Sequence, residues 1–145
     1  MTTQEAYDKI REYFSHPEAE FGVGEDGSCE YISSEGRKCA VGCLIPHEIL
    51  SDYGELLNNS GSLDGLQTGG VTDTGFVAFR DVPGLKDLLN GDDEEGRHKL
   101  AFLKAVQSSH DLIGGSGRGE REDMDTFLVS LDDLAAGYGL QIAVA

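Results

Sequence analysis

The apolar residues near the start of the chain recur at the spacing of an α-helix. They share one helix face: Ala6, Tyr7, Ile10, Tyr13 and Phe14. Thr2 and Glu5 stand three residues apart, as in the capping box that opens many helices. Pro17 cannot continue a helix. The pattern therefore predicts a first helix that begins at the capping box and ends before Pro17.

Two longer helices are predicted in the second half of the chain. One begins near residues 92–95, where four acidic side chains complement the partial positive charge of a helix N-terminus, and ends at Gly114. Its shared face carries Leu100, Leu103, Val106 and His110. The other runs from about Glu122 to Tyr138 and is followed by Gly139, which suits a C-terminal cap. Its apolar stripe carries Phe127, Leu131, Leu134 and Tyr138.

Turn-forming residues ahead of position 42 indicate a small β-hairpin. Residues 28–32 are predicted as its first strand, 33–36 as the turn and 37–41 as the returning strand. Two further short strands are predicted over residues 75–79 and 140–144.

Short helices and a long loop are predicted between these strands. Residues 40–52 read as a short helix with Pro46 near its start, and residues 83–89 as one or two helical turns. The polar, glycine-rich stretch 58–74 reads as a loop. The fold class that we expect is therefore α+β: a helix-rich single domain over residues 1–145, with three main helices, one small hairpin and short strands.

Length and composition favour one domain with a complete core. The chain has 145 residues, of which 39% are hydrophobic, enough for a core without disulfides or metals. No stretch approaches the ~20 apolar residues of a membrane span, and residues 1–5 lack the features of a signal peptide. The three cysteines are an odd number, which favours reduced thiols in a cytosol.

The formal net charge of −16 limits the partners that the chain can bind. A negative field repels nucleic acid and anionic lipid and attracts basic protein surfaces. No basic patch with interleaved aromatic residues exists, which disfavours direct nucleic-acid binding. We expect a basic protein surface as the partner, although acidic side chains also serve to keep a protein dispersed. The glycine run 114–119 lacks the residues of a phosphate loop, and no cofactor is expected.

The segment 38–48, here named the cysteine block, carries the candidate chemistry. Cys39, Cys43 and His47 stand at i, i+4 and i+8, so a continuous helix would place all three on one face. Cys29 lies within hairpin reach and would complete four zinc ligands. Pro46 disturbs such a helix between Cys43 and His47, which weighs against this metal site.

A cysteine nucleophile is the second alternative for the cysteine block. Cys39 follows two basic residues and precedes a predicted helix, and both features lower the pKa of a thiol. His110 and Asp111 would supply the base and the orienting acid. Adjacent residues point about 100° apart on a helix, so Asp111 is predicted to be badly placed to orient His110.

The third alternative, which we favour, gives the cysteines a packing role. Free cysteine packs as a small hydrophobic group and is among the most buried residue types. Residues 39–45 are all small or apolar, and Gly42 would allow close approach of the backbone to the hairpin.

The cysteine block resembles a motif in small accessory proteins of tailed bacteriophages and prophages. Those proteins carry Cys-x-Tyr, then Cys-Ala-x-Gly-Cys-Leu-Ile-Pro-Asp-Glu, then Leu-Gln-x-x-His-Asp. Residues 29–31 and 38–48 are similar to the first two, with His47 in place of the Asp. Residues 106–111, here named the histidine block, are similar to the third. The resemblance implies a phage origin and assigns no catalytic residue.

Charge and resemblance together lead to one functional expectation. The chain is expected to be a non-enzymatic phage accessory protein of the host bacterial cytoplasm, which inhibits a host or defence protein by binding a basic surface. The alternatives are a cysteine-dependent hydrolase or transferase that uses Cys39 and His110, and a small zinc-stabilised domain.

Overall fold

The fold is that of a computed structural model, which describes residues 1–17, 19, 21, 30–33, 36–60, 63–68, 77–90, 93–114 and 120–142. Within these ranges the chain forms α1 (Thr3–Ser15), a 3-10 turn over Gly42–Leu44, α2 (His47–Ser60), α3 (Leu63–Thr68), α4 (Ala78–Asp81), α5 (Leu85–Leu89), α6 (Glu94–Gly114) and α7 (Glu120–Gly137).

The capping box at the start of α1 is confirmed. The Thr2 hydroxyl oxygen accepts from the Glu5 amide at 3.1 Å, and the Thr2 amide donates to the Glu5 carboxylate at 2.9 Å. These bonds satisfy two backbone donors at the helix N-terminus and lower the pKa of Glu5. The helix ends at Ser15, ahead of Pro17, as the sequence predicts.

Helices α1, α6 and α7 form the centre of the molecule. Helix α6 packs along α7, and α1 packs against both. The largest side chains that they bury completely are Tyr7, Ile10, Phe14, Phe102 and Phe127. The Tyr7 hydroxyl donates to Asp132 of α7 at 2.7 Å, and Arg11 donates to the same oxygen at 3.1 Å. None of the helices formed by the described residues is long and apolar enough to cross a membrane.

The C-terminus of α7 is capped as predicted. Gly139 has φ of 77°, the left-handed conformation that glycine adopts without strain. The Gly139 amide donates to Ala136 at 3.1 Å and the Leu140 amide to Ala135 at 2.9 Å. This is the Schellman arrangement, which satisfies carbonyl groups that the helix leaves free.

The expectation of an α+β fold is wrong, because the described residues are helical and form no strand or sheet. Part of the predicted hairpin, namely residues 28–29 and 34–35, lies outside the described residues. In the described part, backbone groups of Tyr31 and Ile32 bond to a side chain of α2. The Tyr31 amide donates to the Asn58 side chain at 2.7 Å, and the Ile32 carbonyl accepts from it at 2.8 Å. Bonds to Asn58 thus take the place of hydrogen bonds to a second strand. The backbone hydrogen bonds of Ser33 with Arg37 and Gly36 close a turn only.

The other predicted strands and the long loop are also wrong where the structure describes them. Residues 58–60 belong to α2 and residues 63–68 form α3, because Leu63 and Leu66 are buried in the core. Of residues 75–79, positions 75 and 76 lie outside the described residues, and Ala78 and Phe79 are helical. Residues 140–142 form no strand, and Gln141 instead bonds the side chain of Gln4 through both backbone groups. Residues 143–144 lie outside the described residues.

Candidate functional site

The cysteine block does not form one continuous helix: it contains the 3-10 turn Gly42–Leu44, the extended Ile45 and the first two residues of α2. The single helix predicted over residues 40–52 is wrong before position 47, where α2 begins. Ile45 is extended, since the residue before a proline disfavours the helical conformation. The Pro46 carbonyl then accepts from the Ile49 and Leu50 amides at 3.0 and 3.1 Å, which starts α2.

Gly42 fixes the position of this turn against residue 31. A Cβ atom built on Gly42 would lie 2.9 Å from the carbonyl carbon of Tyr31 and closer still to its oxygen. Real Cβ atoms essentially never come so near, and a backbone group cannot rotate away as a side chain can. Only glycine therefore permits this approach, as the sequence suggested for this position.

The two described cysteines lie inside the molecule and bond to their own turn. Cys39 is fully buried, and its sulfur accepts from the Gly42 amide at 3.3 Å. Cys43 is half-buried, and its thiol donates to the Ala40 carbonyl at 3.0 Å. Burial raises the pKa of the Cys43 thiol to about 12, against the smaller opposing effect of Lys38. At neutral pH this sulfur is a protonated thiol and not a nucleophile.

The structure does not bring the proposed zinc ligands together. No group of three histidine, cysteine or acidic residues within the described ranges could hold a metal ion, and this holds for Cys39, Cys43 and His47. The reason is local, because the 3-10 turn and the extended Ile45 replace the continuous helix that would have aligned them. Cys29 lies outside the described residues.

His110 and Asp111 are in direct contact, contrary to the sequence prediction. Nδ1 of His110 lies 2.9 Å from Oδ1 of Asp111. The carboxylate is an acceptor, so Nδ1 carries the proton of this hydrogen bond. The angle of about 100° between adjacent residues of a helix therefore does not keep this carboxylate and ring apart. The histidine is fully buried, and the aspartate side chain is 32% exposed.

Gln107 joins the histidine block to the cysteine block. Its Nε2 donates to Oδ1 of Asp111 at 2.7 Å, and its Oε1 accepts from the Val41 amide at 3.0 Å. One buried amide thereby serves a backbone donor of the turn and the carboxylate that holds His110. Sequence reasoning assigned no role to Gln107. The available signal was its spacing of four from Asp111, which places both on one face of α6.

Aromatic rings surround the histidine. The ring centres of Phe14, Phe21 and Phe127 lie 5.7, 5.2 and 5.8 Å from that of His110. All three approach edge-on, which is a favoured geometry for ring pairs. His110 and Cys39 both have zero exposed surface, so a dissolved substrate does not touch either of them in this conformation.

Acidic residues outnumber basic residues on the exposed surface, in keeping with the formal net charge of −16. The exposed acidic residues of the described ranges are Glu5, Asp8, Glu12, Glu48, Asp52, Glu55, Asp81, Asp87, Asp93, Glu94, Glu95, Asp125 and Asp133. The exposed basic residues of the same ranges are Lys9, Arg80, Lys86 and Arg97. The Arg80 side chain bonds Asp81 at 2.7 Å, which lowers the pKa of Asp81 to about 2.

Helix α2 carries a row of acidic side chains on this surface. Glu48, Asp52 and Glu55 are exposed and stand at i, i+4 and i+7, so their carboxylates line one face of the helix. The helix sequence His47–Ser60 contains no lysine or arginine. We name these three residues the acidic face of α2.

Comparison with known proteins adds no family to this picture. No family model, curated protein or solved structure matches the chain. The likeness to phage accessory proteins therefore stays a prediction from the motif residues.

Proposed function

We propose that the protein acts by binding another protein through its acidic surface, without chemistry of its own. The observation that carries this proposal is the acidic face of α2. Its three carboxylates span about 10 Å of helix at 1.5 Å per residue, and they are exposed on a chain whose formal net charge is −16. Aligned like charges of this kind attract a surface of opposite sign and raise its rate of association.

The partner proposed is a host bacterial protein with a basic surface. A row of carboxylates on a rigid helix offers fixed negative charges, and a nucleic-acid-binding site is built to receive fixed negative charges. The protein would occupy such a site as a partial mimic of the phosphate backbone. The phage origin and the host cytoplasm belong to this proposal, and they depend on the motif resemblance alone.

The burial of His110 argues against the alternative of a catalytic role for the cluster. General acid–base catalysis requires a group within hydrogen-bond reach of the substrate. The Asp111 carboxylate is only partly exposed, and the His110 ring that it holds is enclosed by the rings of Phe14, Phe21 and Phe127. Gln107 bonds Val41 and Asp111, and Asp111 bonds His110, so these hydrogen bonds hold parts of the protein's own chain together.

The test compares two variants of equal net charge in affinity capture from bacterial lysate. The first, Glu48→Gln/Asp52→Asn/Glu55→Gln, removes the acidic face of α2. The control, Glu12→Gln/Asp125→Asn/Asp133→Asn, removes three exposed charges from α1 and α7. We expect the wild type and the control to retain a partner in 0.15 M salt and to release it near 1 M, where the Debye length falls to about 3 Å.

The α2 variant should lose that partner, and nucleic acid should displace the partner from the wild type. Titration calorimetry with the purified partner then measures the difference in affinity between the two variants. Equal loss in both variants would show a general charge effect and contradict the assignment to α2. A wild-type protein that captures nothing in a salt-sensitive manner would overturn the proposal itself.

A further inference from the structure

We draw no further inference here: the strongest candidate, the buried side-chain cluster of His110, Asp111 and Gln107 between α6 and the cysteine block, belongs to the site already described, and nothing in the described part of the chain shows a ligand that would reach it.

Discussion

The backbone of Gly42 lies directly against the carbonyl group of Tyr31, with no room for a side chain between them. This contact joins the start of the 3-10 turn to the segment that α2 holds through Asn58. The missing side chain at Gly42 thus permits the 3-10 turn to pack against the non-helical segment around Tyr31.

Gly42→Ala should destabilise the protein by at least about 1–3 kcal/mol, because the added methyl group forces the backbone of residue 31 to move. Urea unfolding followed by circular dichroism measures the change. Gly137→Ala is the matched control, since a Cβ there meets nothing within 4 Å and the residue is helical. We expect the control to be neutral or slightly stabilising. Equal stability of the two variants would contradict the close approach.

Gln107→Leu should lower the free energy of unfolding by about 1–3 kcal/mol, because it leaves the buried Val41 amide without its acceptor. Asp111 loses a donor at the same time. Gln67→Leu makes the same chemical change at an exposed position of α3 and should stay within about 0.5 kcal/mol of the wild type. Chemical denaturation measures the free energy of unfolding of both variants. Similar free energies would show that the hydrogen bonds of Gln107 contribute little to stability.

Much of the helical part of this fold could be predicted, because its signals are local. The capping box of Thr2 and Glu5 and the Gly139 cap involve residues within a few positions of one another, and α1, α6 and α7 follow from apolar spacing. The hairpin prediction is wrong because the backbone of Tyr31 bonds to the side chain of Asn58, which stands 27 positions away in the sequence. No local sequence pattern predicts that a distant side chain will bond the backbone groups that a paired strand would otherwise bond.

The candidate site was predicted only in part, for a related reason. The cysteine and histidine blocks each contain residues of the buried cluster, but their connection runs through Gln107 and Val41, 66 positions apart. The polar and glycine-rich composition of residues 58–74 predicts a loop. Leu63 and Leu66 of this stretch are nevertheless buried, and they pack α3 against the core.

Cys43 should react with iodoacetamide far more slowly in the folded protein than free cysteine does. The thiolate is the reacting species, and a pKa of about 12 reduces its fraction at pH 8 by roughly three orders of magnitude relative to a free thiol. Peptide mapping by mass spectrometry over time isolates the rate at Cys43, and the guanidinium-unfolded chain provides the reference rate. Equal rates for Cys43 in the folded and unfolded chains would contradict the burial of its sulfur.

The same raised pKa makes stability depend on pH above neutrality. Between about pH 8.5 and pH 12 the unfolded chain releases the Cys43 proton while the folded chain keeps it. A rise in pH therefore favours the unfolded state, and the free energy of unfolding falls. The limiting slope for one proton is about 1.4 kcal/mol per pH unit. Below about pH 8.5 this contribution is constant, because both states hold the proton.

Comparison with Cys43→Ala separates this contribution from the titration of lysines and tyrosines. Urea unfolding at pH 7, 9 and 10 gives the slope for each protein. We expect the variant to lose less stability over this interval than the wild type does. Parallel slopes would mean that the Cys43 thiol titrates alike in the folded and unfolded states.

The bond between Val41 and Gln107 gives the molecule an internal reporter. The Val41 amide proton lies outside the helices, yet it can exchange with deuterium only when the turn separates from α6. Its exchange rate therefore measures how often this interface opens, independently of the fraying of any helix. Helix α2 follows the same turn along the chain. If a partner binds at α2, a decrease in the exchange rate of the Val41 amide would show that binding also stabilises the contact between the turn and α6.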